Sequence, residues 1–217
     1  MANRTVLHYP DKRLRAVAQP VQDFEGLSSS GLVGDLIDTL EVQGGLGLAA
    51  TQVGEHWQVL VVKPGVLGLD NPDPLSSDRE GYLVLCNPQV EPVECEAVRW
   101  KEACLSVPGA AGTVERSSKC RVAYQRPDGT ASSLELDWPL AGVVQHEIDH
   151  LSGHLYLDRL GNLERRAVIK RLEKVTKAQA TAAKKRANVG SVRASMSGQL
   201  SAAGQKAKPQ RRANKKM

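Results

Sequence analysis

Apolar residues fall at helical spacing in three stretches of the chain and alternate or cluster in several shorter ones. Leu32, Leu36, Ile37 and Leu40 form one helical stripe, with Ser28-Ser29-Ser30 ahead of it as caps and Gly44 behind it as a stop. Leu140, Val143, Val144, Ile148, Leu151 and Leu155 form a second stripe, which predicts a helix at least half buried and ending near Gly153. From Leu163 to about Arg186 the composition favours helix, with a thinner stripe of Val168, Leu172 and Val175. Val59–Val62 reads as a strand stopped by Pro64, and Leu83–Cys86 as a strand stopped by Asn87-Pro88. Residues 89–100 look extended. Cys120–Tyr124 and Ser133–Leu136 alternate, and Arg126-Pro127-Asp128-Gly129 between them predicts a hairpin. Residues 1–27 read as an extended arm and a short turn begun at Pro10-Asp11. Residues 63–80 read as a loop, and 155–160 as a short strand or turn.

Composition narrows the class. A chain of 217 residues suits one domain with an appendage. No apolar run approaches membrane-spanning length, and Met1–Arg15 holds no apolar signal core, so a soluble cytoplasmic protein is expected. The four cysteines, Cys86, Cys95, Cys104 and Cys120, form no C-x-x-C pair, and reduced thiols are expected. The net charge of +5 conceals an asymmetry. Residues 161–217 carry 16 of the 29 Lys+Arg and 2 of the 24 Asp+Glu, leaving 13 against 22 in residues 1–160. An acidic body with a basic tail points to a polyanion such as nucleic acid; a tail that only solvates is the plainer alternative. Beyond Asn188 the chain lacks aromatic residues and has little aliphatic content, so disorder in isolation is expected there.

Gln145-His146-Glu147-Ile148-Asp149-His150-Leu151 carries the chemistry. On a helix, His146 and His150 lie one turn apart on one face, where two imidazoles can grip one metal ion. Glu147 is then placed to handle a proton on bound water. A buried His pair with neither metal nor partners would be costly. A third ligand is needed. Tyr156 stands where a third His would follow Gly153, and His154 comes two residues early. Glu164 and Glu173 remain as a metalloprotease-type solution, and Cys104 offers a thiolate. Gly45-x-Gly47-x-x-Ala50 matches a dinucleotide-binding pattern, but a predicted helix precedes it where that pattern needs a strand. Close approach of a ligand to the main chain is the better reading of these glycines, with the Gln52 amide beside them.

Three stretches together are specific: Gly45-Leu46-Gly47-Leu48-Ala49-Ala50-Thr51-Gln52, Glu102-Ala103-Cys104-Leu105-Ser106 and Gln145–Leu151. In order and spacing they resemble the signature motifs of peptide deformylases, and Leu7-His8-Tyr9-Pro10-Asp11-x-x-Leu14-Arg15 resembles the family's opening. The likeness covers about residues 4–175. One departure is Ala103, where the family usually has Gly.

The resemblance implies a metal-dependent hydrolase that removes the formyl group from N-formylmethionine at the start of new polypeptides and releases formate. It implies Cys104, His146 and His150 as metal ligands, and Glu147 as acid and base. The Gln52 amide and the Leu105 N–H would act as oxyanion donors, with Leu46, Gly47 and Ala103 along the substrate's main chain. Trp100, Gly142 and Val143 are candidates for the methionine pocket. Fe2+ is the implied native ion, replaceable by Zn2+, Ni2+ or Co2+, and contact of the basic extension with ribosomal RNA is implied for docking. The expected fold is α+β: mixed, mostly antiparallel sheets around the central His helix. The expected parts are a catalytic domain at 1–162, a basic helix at 163–186 and a basic tail at 187–217. An RNA-binding ribosome factor with a purely structural metal site is the non-enzymatic alternative. Such a site would use four protein ligands, and only three good ones are visible.

Overall fold

The computed structural model describes residues 3–77, 79–91, 93–178 and 181. The chain divides into two compact units, Met1–Leu172 and Glu173–Met217. The first holds two short helices, α1 (Phe24–Ser30) and α2 (Leu32–Gln43), seven strands and the helix α3 (Leu140–Leu151). A further helix, α4, spans 162–178. Within the second unit only 173–178 and 181 are described, so the expected tail at 187–217, and the expected helix beyond 178 except residue 181, lie outside the described residues.

Strands β1 (Gly47–Ala49), β2 (Val59–Val62), β3 (Leu83–Glu91), β6 (Lys119–Gln125) and β7 (Ala131–Asp137) form one sheet in the order β1-β2-β3-β6-β7. Strands β4 (Ala97–Cys104) and β5 (Val107–Ser117) form a second, two-stranded sheet. Every strand pair is antiparallel. The fold is α+β.

The pleat explains why β2 and the Leu83–Cys86 half of β3 are apolar throughout. Successive side chains point to opposite faces, and both faces of the large sheet are covered. Leu60, Val62, Leu83 and Leu85 pack toward Leu140, Ala141, Val143 and Val144 of α3. Val59, Val61, Val84 and Cys86 pack toward Leu36, Ile37 and Leu40 of α2. Each fully buried Leu or Val of this kind is worth about 1.5–3 kcal/mol. A third cluster joins Val107 and Val114 of β5 to Tyr156, Leu160, Val168 and Leu172, so the root of α4 is packed within the first unit.

Three local expectations differ from the structure. The serines belong to the end of α1, which is capped by Asp23 accepting from Gly26 N–H at 2.8 Å. Gly31, in a left-handed conformation, takes the N-cap position of α2, while Ser30 Oγ still accepts from Leu32 N–H at 3.2 Å. Asn87-Pro88 does not stop β3. Asn87 adopts φ 49°, which Asn tolerates, and the register shift between Cys86 and Gln89 carries the strand past the proline. Residues 155–160 form neither strand nor simple turn but a 3-10 helix at Tyr156–Arg159. The hairpin at 126–129 stands, with Val122 opposite Leu134.

Candidate active site

Helix α3 is buried on the face that carries the histidines. His146, Glu147 and His150 are all buried, and the helical period brings the two rings to 4.9 Å between centroids. Cys104 ends β4, where a register shift between Ala103 and Cys104 bends the chain. The Cys104 sulfur and one ring nitrogen from each histidine lie within 4.8 Å of one another, and Sγ is 3.2 Å from His150 Nε2. One soft sulfur and two imidazoles suit a divalent transition metal. Beside this set, among the described residues, the buried Glu147 Oε2 has no hydrogen-bond partner. An unspent carboxylate oxygen next to one sulfur and two ring nitrogens is what a bound ion and its water would satisfy, so the residues present fit the metal.

Glu102 orients the cluster. Trp100, Glu102 and Cys104 alternate along β4 and share its less exposed face, while Ala103 faces the exposed side. Glu102 Oε2 is 2.7 Å from His146 Nδ1, and both Glu102 oxygens accept from Arg116, at 2.7 and 3.0 Å. Burial would raise the Glu102 pKa, but His146 and Arg116 outweigh it and hold the carboxyl down at about 2. Arg116 also donates to Asp149 at 2.6 Å, and Arg159 holds Asp149 from outside at 2.7 and 2.6 Å. A carboxylate behind a metal-binding histidine fixes the ring's tautomer and direction.

The titrating groups are pushed apart. Burial raises the Glu147 carboxyl to about 7, within reach of proton transfer at neutral pH. Burial disfavours charge on both rings. Cys104 and Glu102 outweigh it at His146, whose pKa is well raised, whereas burial and the His146 charge leave His150 well below its usual value.

Gln52 sits on the other side of the sulfur. Its Oε1 accepts from Ala49 N–H at 2.8 Å, which turns Nε2 toward Ser106 Oγ at 3.2 Å and Cys104 Sγ at 3.5 Å. Leu105, half-buried, follows Cys104, and a Cβ on Gly45 would meet its side chain at 3.0 Å. Leu46 and Gly47 lie at β1, the outer strand of the large sheet, and Ala103 lies on β4, which pairs only with β5. Leu46 C=O is already taken by Lys63 N–H at 2.9 Å.

The carboxylate candidates for the third ligand are elsewhere: Glu164 accepts from Thr113 N–H at 2.7 Å, and Glu173 is exposed. Tyr156, in the position a third His would take, stacks beside His146 with its buried hydroxyl unpartnered among the described residues. Of the pocket candidates, Val143 is buried, and the space a side chain would take at Gly142 is filled by Trp138. Sequence reasoning missed the role of Glu102 and all of Arg116 and Asp149. The i, i+2 spacing of Glu102 and Cys104 in an extended stretch was the one available signal.

The family model for polypeptide deformylases matches residues 3–166. Peptide deformylase 1 of Pseudomonas syringae pv. tomato is 40% identical over 181 residues, covering 83% of this chain and 100% of that protein. The peptide deformylase of Stutzerimonas stutzeri is 39% identical over 180 residues, with the same coverage. Among solved structures, a peptide deformylase from Legionella pneumophila superposes with a TM-score of 0.72 at 35% identity, covering 82% of this chain and 98% of that one. The Ehrlichia chaffeensis enzyme in complex with actinonin gives 0.68 at 33% identity, covering 82% and 98%. A cysteine sulfur and two imidazoles converging beside a buried carboxyl, on a fold shared with these proteins, place the chain in the polypeptide deformylase family.

Proposed function

We propose that Cys104, His146 and His150 hold the metal, that Glu147 moves the protons, and that Gln52 and Leu105 receive the developing negative charge. The reaction is the family's: hydrolysis of the formyl group of N-formylmethionine on newly made polypeptides, giving formate and a free amino terminus. One observation carries the residue assignment. The sulfur and two ring nitrogens cluster within 4.8 Å of one another beside a buried carboxyl raised to about 7.

A bound divalent metal would supply Lewis acidity toward the formyl oxygen and lower the pKa of water. Glu147 accepts the proton of the attacking water at a carboxylate oxygen. A C–O bond forms at the formyl carbon, and the C–N bond then breaks. Glu147 returns its proton to the leaving amine nitrogen. Gln52 Nε2 and the Leu105 N–H donate to the oxyanion, and the Ala49 N–H keeps the Gln52 amide from turning away. The outer edges of β1 at Gly47, with Leu46 just before it, and of β4 at Ala103 suit an extended substrate added as a short strand, although the Leu46 C=O is held by Lys63 N–H.

The donor set suits iron or zinc, and Fe2+ is the proposed native ion, with Zn2+, Ni2+ and Co2+ as substitutes. The catalytic part is taken as 1–162. The basic segment at 163–186 would contact ribosomal RNA through phosphates, bringing the site to emerging chains in the cytoplasm. Among the described residues no helix is long and apolar enough to cross a membrane.

Formate release from a formyl-Met-Ala-Ser peptide by anaerobically purified protein tests the assignment. Release by the wild type, lost in Glu147→Ala, is expected. No release with ferrous iron, nickel or zinc supplied would overturn it.

A further inference from the structure

We propose that Trp100 is a positioning residue of the hydrolytic site, holding through its indole N–H the carboxylate that orients His146. This rests on the assignment of Cys104, His146 and His150 as ligands. Trp100 Nε1 donates to Glu102 Oε1 at 2.9 Å, and the same oxygen accepts from Arg116 Nε at 2.7 Å. The other oxygen accepts from Arg116 Nη2 at 3.0 Å and faces His146 Nδ1 at 2.7 Å. With both oxygens spoken for, the carboxylate cannot rotate without losing a bond. His146 Nδ1 stays on Glu102, which leaves Nε2 as the nitrogen available to the cluster.

A second ring holds Trp100 in place. Trp100 and Trp138 meet edge to face, with centroids 4.6 Å apart and planes at 82°. Trp138 stands where a side chain of α3 would otherwise project, since a Cβ on Gly142 would come within 2.6 Å of Trp138 Cζ3. Gly142 and His146 are one helical turn apart on α3. The path therefore closes on itself: α3 at Gly142, Trp138, Trp100, Glu102, and α3 again at His146. The glycine admits the ring that supports the donor that aims the histidine one turn later. Position 100 needs both a broad ring and an N–H, a pair that Phe and Gln each supply only in part.

The test is Co2+ affinity, measured by chelator competition on full-length wild type, Trp100→Phe and Cys104→Ser, with kcat and KM for the formyl peptide in parallel. Trp100→Phe keeps a ring against Trp138 and removes the donor. It is expected to weaken Co2+ binding about tenfold and to lower kcat with KM little changed. Unchanged Co2+ affinity with a raised KM would make Trp100 a substrate wall and overturn the proposal. Cys104→Ser separates the two failures. If it binds Co2+ as tightly as wild type, the ligand assignment falls and the proposal with it. If it loses Co2+ while Trp100→Phe does not, only the Trp100 link falls. Should Trp100→Phe not fold, exchange of the wild-type indole N–H decides. Protection at Trp100 relative to Trp57, which is 46% exposed, supports the link, and equal exchange rates overturn it.

Discussion

Glu147 lies directly against Gly47: a Cβ built on Gly47 would come within 2.6 Å of Glu147 Oε1 and 2.8 Å of its Cγ. The glycine of β1 makes room for the carboxyl of α3. Gly47→Ala is expected to displace that carboxyl by a fraction of its length and to cost about 10²-fold in kcat/KM. Thermal stability should fall far less, because the carboxyl can swing away from the new methyl. Kinetics on a formyl-Met peptide beside a thermal melt check this, and a variant within threefold or so of wild type would refute the steric link.

Gln52 is held at one end and faces the cluster with the other. Gln52→Ala is expected to lower kcat by about 10²–10³ with metal content unchanged. A loss under about threefold would remove Gln52 from the oxyanion site.

Away from the site, Asp73 accepts from the Tyr124 hydroxyl and from Arg126 at 2.8 and 3.1 Å. Burial would raise the Asp73 pKa, but Arg126 and Tyr124 outweigh it and hold it below its ordinary value. Its stabilisation is therefore present above about pH 4 and lost as pH falls below that. Tyr124 is pushed up to about 12, by burial first and then by Asp73. Its neutral form stabilises the fold below about pH 10, and that contribution is lost as pH rises through about 12. Urea midpoints across pH should show a flatter acid limb for Asp73→Asn. Tyr124→Phe should flatten the alkaline limb and cost about 1.5 kcal/mol at neutral pH. Superimposable limbs would show that the pair is not coupled to folding.

The four cysteines are free and unequally placed. Burial pushes Cys86 up to about 12 and Cys120 to about 11, whereas hydrogen bonding from the Lys119 region lowers the less buried Cys95. Brief alkylation of the native metal-loaded protein should label Cys95 first and leave Cys86 and Cys120 unmodified until denaturant is added. Peptide mapping by mass reads the order directly.

The basic extension is testable without deleting it, since Val168 and Leu172 are buried and truncation would damage the third cluster. Lys170, Lys174 and Lys177 are exposed and fall on one helical face. Their joint change to Glu should weaken ribosome binding and reduce the log–log salt slope by about three. An unchanged slope would leave the extension without an RNA role.

The two histidines and the glutamate proposed for the chemistry were legible because their pattern is local. An i, i+4 His pair with an adjacent Glu acquires its geometry from one helix, whatever surrounds it. The stripes of α2 and α3 and the 126–129 hairpin were legible for the same reason: period and turn chemistry act over a few residues. Strand β5 was not legible. Its Val107-Pro108-Gly109-Ala110-Ala111-Gly112 start has little strand preference, and it is extended because β4 pairs with it. The Glu102–Arg116–Asp149 chain was hidden more deeply. Its members come from β4, β5 and α3, and no short-range spacing links them. The sequence by itself determined the donor types, the helix that presents two of them and the acidic body with its basic tail. Only the tertiary structure decided which carboxylate aims His146, which glycine admits Glu147 and which arginine balances the buried charge. Such pairings are made between elements, where burial forces each polar group to find a partner that the chain's local order does not name.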